Sequence, residues 1–197
     1  MIPSSAVRRE NAALKQEIER AIGAVIDSGE VILSSRVQGF EEEWAAAAGA
    51  RHCIGVASGL DALEAALRAV GVKSGDRVLI PALSAAATVL APLRLGAVPV
   101  FVDVDERTAL MSLDALRDAT AIGASAAIPV ALYGLRPATA LLDFIERHLG
   151  CFVVMDMAQA HGSLNESGTP HVRADAAAWS FYPTKNLGAL GDAGGIT

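Results

Sequence analysis

The stretch Cys53-Ile54-Gly55-Val56-Ala57-Ser58-Gly59-Leu60 changes its period halfway through. Cys53 to Ala57 is a short apolar run of the kind that forms a strand buried on both faces. Ser58-Gly59 makes a turn. From Leu60 to Val70 the residues Leu60, Leu63, Leu67 and Val70 recur at helical spacing. Strand, turn and helix in that order are the opening of an α/β sheet, and the rest of the chain repeats them.

Downstream, strands are expected at Asp76–Pro81, Val98–Val102, Ala126–Leu132, Phe152–Asp156 and Ala176–Phe181, with Gly194–Thr197 as the start of a seventh. Helices are expected between them: an alanine-rich one through Leu95, then Ser112–Thr120 and Thr139–Leu149. Short apolar strands separated by helices predict a mostly parallel sheet covered on both faces. Upstream, residues 6–27 read as an amphipathic helix closed by Ser28-Gly29. Residues 30–35 form an apolar connector, and Arg36–Ala48 is a second helix whose Glu41-Glu42-Glu43 run reads as a solvated face.

The totals agree with a folded core. Of 197 residues, 52% are hydrophobic and 19% charged, which excludes a disordered chain. A net charge of −6 leaves no basic stripe for phosphate neutralisation, which argues against nucleic acid as a partner. There is no cleavable apolar leader and no uncharged run long enough for a membrane span. Cys53 and Cys151 lie in or beside apolar runs with no metal-ligand spacing, as expected of a reduced, cytoplasmic protein without a bound metal.

In parallel sheets ligands lie beyond the carboxyl ends of the strands. Three such ends carry polar chemistry, and each admits two readings. Ser58-Gly59 is either a plain helix cap or a phosphate cradle of free N–H groups. Asp156 either caps a turn or pairs with a ring cation. Lys185 stands alone in Tyr182-Pro183-Thr184-Lys185-Asn186-Leu187-Gly188, either as a solvated loop residue or as a Schiff-base amine. Together, a phosphate cradle, a carboxylate and a lysine are what pyridoxal phosphate requires. His161, in Asp156-Met157-Ala158-Gln159-Ala160-His161-Gly162, reads as hydrogen-bonded structure rather than as a catalyst. Neither a G-x-G-x-x-G nor a G-x-x-x-x-G-K-[ST] frame is present, which disfavours a nicotinamide-dependent oxidoreductase.

The chain resembles the DegT/DnrJ/StrS family of sugar aminotransferases, pyridoxal-phosphate enzymes of fold type I. The resemblance runs from about residue 30 to 197. It is carried by "GVASGLDALEAALRAVGVKSGDRVLIPA" (55–82), "LRLGAVPVFVDVD" (93–105), "IPVALYG" (128–134), "MDMAQAHGS" (155–163) and "WSFYPTKNLGALGDAGGIT" (179–197). It implies an N-terminal helical segment, 1–29, and a cofactor-binding large domain, 30–197, with a seven-stranded sheet between helices. It further implies that Lys185 forms the Schiff base and shuttles the proton, and that Asp156 pairs with the pyridinium nitrogen. Gln159 would contact the ring 3-oxygen. Ser180 and the backbone at Gly59 and Leu60 would bind the phosphate. The expected reaction moves an amino group, commonly from L-glutamate, to a keto sugar attached to a nucleotide, in a homodimer with active sites at the subunit interface.

Departures from the family pattern are visible. Leu60 replaces a common threonine, Met155 a glutamate and Ala131 a histidine. Ala85 stands where an aromatic residue stacks on the cofactor, which removes packing worth roughly 1 kcal/mol. The small C-terminal domain of the family is missing from this sequence. The alternative expectation is therefore a truncated, inactive remnant that binds pyridoxal phosphate or a partner subunit without turnover.

Overall fold

The computed structural model describes residues 7–197. Two helices come first, α1 (Val7–Ser28) and α2 (Ser35–Ala47). The alternation follows as β1 (Ile54–Val56), α3 (Gly59–Ala69), β2 (Arg77–Pro81), α4 (Ala86–Arg94), β3 (Val98–Val102) and α5 (Leu113–Asp118). It continues through β4 (Ala126–Ala127), α6 (Thr139–Asp143), β5 (Phe152–Asp156), β6 (Ala176–Ser180) and β7 (Gly194–Ile196). The expected helix over 6–27 is α1. Residues 1–6 of the N-terminal segment lie outside the described residues.

The seven strands form one sheet in the order β1-β7-β6-β5-β4-β2-β3. From β3 to β6 every pairing is parallel, while β7 is antiparallel to both β6 and β1. The reason for the exception lies in the connection. Parallel neighbours need a crossover, usually a helix, whereas the segment from Phe181 to Ala193 contains none and turns the chain straight back. Its base is closed by Phe181 N–H donating to the Ala193 carbonyl at 2.8 Å and Ala189 N–H donating to the Phe181 carbonyl at 2.8 Å. Because β7 opposes both neighbours, β1 and β6 run in the same direction.

Alternating side chains place two cores on the two faces of the sheet. On one, Val78, Ile80, Val154 and Ala178 pack with Leu63 and Leu67 of α3 and Ala91 of α4. On the other, Leu79, Val153, Met155 and Trp179 pack with Trp44 of α2, Leu116 of α5, and Leu141 and Leu142 of α6. Trp44 meets Trp179 edge-on at 5.0 Å and Phe181 edge-on at 5.1 Å, so α2 is held to the end of β6 by aromatic contacts.

Several expectations need correction. The fourth strand is two residues long, not seven. Pro129 lacks an N–H and interrupts the ladder, although Ile128 N–H still donates to Leu79 and Ala131 N–H to Asp156. The helix expected over Thr139–Leu149 is α only to Asp143, with wider π-type turns from Phe144 to Leu149, and α5 ends in a 3-10 turn, Ala119–Ile122. Glu41 is not part of a solvated face: its carboxylate accepts the Gly55 N–H at 2.7 Å and so satisfies a donor on edge strand β1. Helix α1 is amphipathic but buries no residue against the described part of the chain, and Val31, Ile32 and Leu33 of the connector are exposed.

Candidate active site

The carboxyl ends of β1, β5 and β6 lie along one edge of the sheet, because those three strands run in the same direction. The register brings two of them together. Val56 of β1 pairs with Gly194, and Gly194 pairs with Ser180 of β6. Two residues beyond Val56, Ser58 caps α3, its hydroxyl accepting the Asp61 N–H at 3.1 Å while its carbonyl takes the Ala62 N–H at 2.9 Å. Among the described residues the Gly59 and Leu60 N–H groups have no acceptor in the protein. They lie at the positive end of an eleven-residue helix.

Gly59 is there for closeness. A Cβ on it would lie 2.6 Å from the Ser180 Cβ and 3.1 Å from its Oγ. The Ser180 hydroxyl therefore sits beside the start of α3, and with the two N–H groups it makes a small cradle of donors whose chemistry suits an anion.

Asp156 ends β5 and is buried, 4% exposed. Its Oδ2 accepts the Thr88 hydroxyl at 3.0 Å and its Oδ1 accepts the Ala158 N–H at 3.1 Å. Burial pushes the carboxyl above its ordinary range. The Ala158 N–H, the Thr88 hydroxyl and the Lys185 ammonium act in the opposite direction.

Gln159 and Lys185 share an open cleft of about 450 Å³ with Tyr133, Thr184 and Asn186. Gln159 Oε1 accepts the Tyr133 N–H at 3.0 Å, which leaves its amide nitrogen as a donor. Tyr133 holds a left-handed backbone, φ 55°, a costly conformation for a residue with a Cβ. Lys185 is half-buried, and its own N–H donates to the Tyr182 carbonyl at 2.8 Å. A larger cavity, about 650 Å³, is lined by Met155, Met157, Arg136 and Arg173. It contains none of the expected site residues, and Met155 belongs to the core on the sheet face away from Val154.

His161 is not hydrogen-bonded as expected. Its ring sits among Trp44, Trp179 and Phe181, at 5.5, 5.7 and 5.3 Å, with both nitrogens buried and unpartnered. Burial pushes its pKa below 6.5, aided by the Lys185 ammonium and opposed by the Ser180 backbone and the Asn186 side chain, which lie near the ring but outside hydrogen-bond geometry.

All six expected residues thus fall on one edge of the sheet. The sequence reading missed Thr88, Ser84 and Tyr133. Thr88 had a signal, being the one polar residue in Ala85-Ala86-Ala87-Thr88-Val89-Leu90-Ala91.

The donor set fits pyridoxal phosphate: a cradle that a Cβ at Gly59 would fill, a buried carboxylate whose charged form a cationic partner would favour, and a primary amine in a cleft with Gln159. Comparison with known proteins points the same way. Residues 12–197 match the model of the DegT/DnrJ/EryC1/StrS aminotransferase family. The chain is 43% identical over 183 residues to a dTDP-3-amino-3,4,6-trideoxy-alpha-D-glucose transaminase of Micromonospora megalomicea, covering 92% of this chain and 49% of that protein. Among solved structures it is similar to DesV of Streptomyces venezuelae in complex with a ketimine intermediate, with a TM-score of 0.93, 36% identity, and coverage of 100% of this chain and 53% of that one. It is also similar to NtdA of Bacillus subtilis with bound cofactor PMP, with a TM-score of 0.85, 30% identity, and coverage of 92% and 41%. The chain spans about half the length of these relatives.

Proposed function

The chain belongs to the DegT/DnrJ/EryC1/StrS aminotransferase family, and from that premise we propose that it is the cofactor-binding large domain, residues 30–197, of a pyridoxal-phosphate-dependent sugar aminotransferase. It would move an amino group from an amino acid, L-glutamate by expectation, to a keto sugar carried on a nucleotide. The observation that carries this reading is the closeness of Gly59 to Ser180, which builds an anion cradle on the same sheet edge as Asp156 and Lys185.

When bound, the cofactor supplies an aldehyde that joins to an amine and a protonated ring that draws electrons from the carbon bearing that amine. The remaining work falls to the chain. The Gly59 and Leu60 N–H groups and the Ser180 hydroxyl would hold the phosphate. Asp156 would keep a proton on the ring nitrogen, a task for which it must be ionised. The Gln159 amide would donate to the ring 3-oxygen, its orientation set by the Tyr133 N–H. Lys185 Nζ would join the aldehyde at rest and, once displaced by the amino acid, take the proton from that substrate's Cα. A second subunit completing the site, and a cytoplasmic setting, belong to the same proposal. Among the described residues no helix is long and apolar enough to cross a membrane.

The 197-residue chain mixed with pyridoxal phosphate should develop an absorbance band near the visible edge, and borohydride should fix the cofactor on the peptide containing Lys185. The Lys185→Ala chain should yield no such adduct. An equal adduct in that variant would overturn the assignment. A second reading, cofactor binding without turnover, is favoured by the exposed apolar side chains of Tyr182, Leu187 and Leu190 around the lysine. A chain that fixes the cofactor yet transfers no amine from glutamate to a nucleotide-linked keto sugar would establish that reading instead.

A further inference from the structure

Asp156 is approached by two hydroxyls in line, Thr88 of α4 and Ser84 of the turn before it. Thr88 is fully buried, and its Oγ1 lies 3.0 Å from Asp156 Oδ2 and 2.6 Å from Ser84 Oγ. A threonine has one hydroxyl proton. When Asp156 is ionised it can only accept, so Thr88 gives its proton to the carboxylate and the Ser84–Thr88 bond has Ser84 as its donor. In that state the chain runs one way: Ser84 O–H to Thr88 O–H to Asp156 Oδ2. Each donation polarises the next. Ser84 lies in the turn just before α4, two residues ahead of its first residue, and that turn brings its hydroxyl onto Thr88 of the first helical turn. The other carboxylate oxygen is held by the Ala158 N–H, so both oxygens are fixed.

We propose that Ser84 and Thr88 form a directed hydroxyl relay that fixes the Asp156 carboxylate in place and supports its charged form, with Thr88 as the positioning residue. The proposal rests on the reading of Asp156 as partner of the ring nitrogen, since only that task requires an ionised carboxylate at so buried a position. The surroundings leave few other candidates. The strand neighbours of Asp156 are Val130 and Ala178, neither of which titrates. The loop after β6 contributes the Lys185 ammonium, the turn after β5 the Ala158 N–H, α4 the Thr88 hydroxyl, and the turn before α4 the Ser84 hydroxyl behind it. Removing Thr88 would leave an isolated cation and one backbone donor to oppose burial.

The test uses the 197-residue chain labelled with ¹³C at the aspartate side-chain carboxyls, without cofactor, and Asp156→Asn to assign the resonance. In Thr88→Val, which keeps the shape and removes the hydroxyl, the Asp156 titration midpoint should rise by about one pH unit, the effect of losing one hydrogen bond to a charged group. Thr88→Ser should return it close to the parent. Ser84→Ala, which leaves the helix interior intact, should raise it by less. A midpoint in Thr88→Val equal to the parent's, or one in Thr88→Ser as high as in Thr88→Val, would overturn the relay. If Thr88→Val does not fold, Ser84→Ala decides: an upward shift supports the relay and an unchanged midpoint sinks it. The functional reading fails separately, by absence of a borohydride adduct on Lys185 in the parent chain, and the carboxyl titration is independent of that result.

Discussion

Gly194 of β7 and Ser58 at the start of α3 touch backbone to backbone: a Cβ on Gly194 would meet the Ser58 carbonyl oxygen at 2.3 Å and the Gly59 nitrogen at 3.0 Å. The anion cradle is therefore backed by a strand with no side chain at that point. Gly194→Ala must push against main chain, which cannot swing aside. We expect it to destabilise the fold by about 1–3 kcal/mol and to weaken binding of pyridoxal phosphate at least tenfold. Urea unfolding and an absorbance titration would measure the two effects.

The contact between Gly59 and Ser180 is of a different kind, because what a Cβ at Gly59 would strike is the Ser180 side chain. Gly59→Ala alone should be destabilising. Combined with Ser180→Gly it should regain most of the lost stability, since the two closest obstructing atoms are gone and only the Ser180 Cα, 3.3 Å away, remains. Cofactor affinity should stay low in the double variant, which lacks the hydroxyl. Recovery of affinity along with stability would mean that Ser180 does not contribute to phosphate binding.

Asp156 gives a pH signature. Its pKa in the folded chain is raised above the ordinary 3.8, chiefly by burial. The folded state thus favours the protonated acid, and the resulting stability is fully present below pH 3.8 and is lost as pH rises through the folded value. The cofactor-free parent should lose stability relative to Asp156→Asn across that window. Urea unfolding of both chains at a series of pH values would show it, and parallel curves would refute it. Pyridoxal phosphate, by placing a cation against the carboxylate, should reduce the loss.

His161 has the opposite sign. Its folded pKa lies below the ordinary 6.5, so it contributes stability above pH 6.5 that is lost as pH falls through the folded value. His161→Phe keeps an aromatic ring among Trp44, Trp179 and Phe181 and removes the titration. The parent should lose stability relative to this variant on acidification below pH 6.5, as followed by chemical unfolding. A constant difference between the two would rule the effect out.

Much of the sheet was legible from single residues. Phe152–Asp156 and Val98–Val102 have the bounds their apolar runs suggest, because a strand buried in a parallel sheet needs little beyond β-branched and aromatic side chains. The fourth strand was overextended, because an apolar run says nothing of a missing donor, and Pro129 breaks the ladder without breaking the hydrophobic pattern. His161 was misread for a related reason: its neighbours in space, Trp44 and Trp179, lie far off in sequence. That Asp156 and Lys185 lie at the same ends of neighbouring strands could be anticipated from strand order, whereas Gln159 entered only through the family resemblance. The part played by Thr88 could not, since it depends on how α4 is rotated against β5, which packing alone determines. Lys185 carried no local signal that distinguishes it from a solvated loop residue; its place beside Gln159 and within electrostatic reach of Asp156 is a product of the fold.

The position of β7 between β6 and β1 also imposes an order of assembly. Among the described residues β1 has no sheet partner other than β7, so the strand leading into the cradle stays unpaired until residues 194–196 are available. During synthesis from the N-terminus, the parallel block from β2 to β6 can close by short-range steps while Ser58 and Gly59 wait for a strand about 135 residues later, a loop closure whose entropic cost grows only slowly with length. The first strand of the sheet to be made is thus paired only once the seventh is in place, and completion of the cradle waits for that pairing. Phosphate protection of β1 amides against hydrogen exchange would report that step directly.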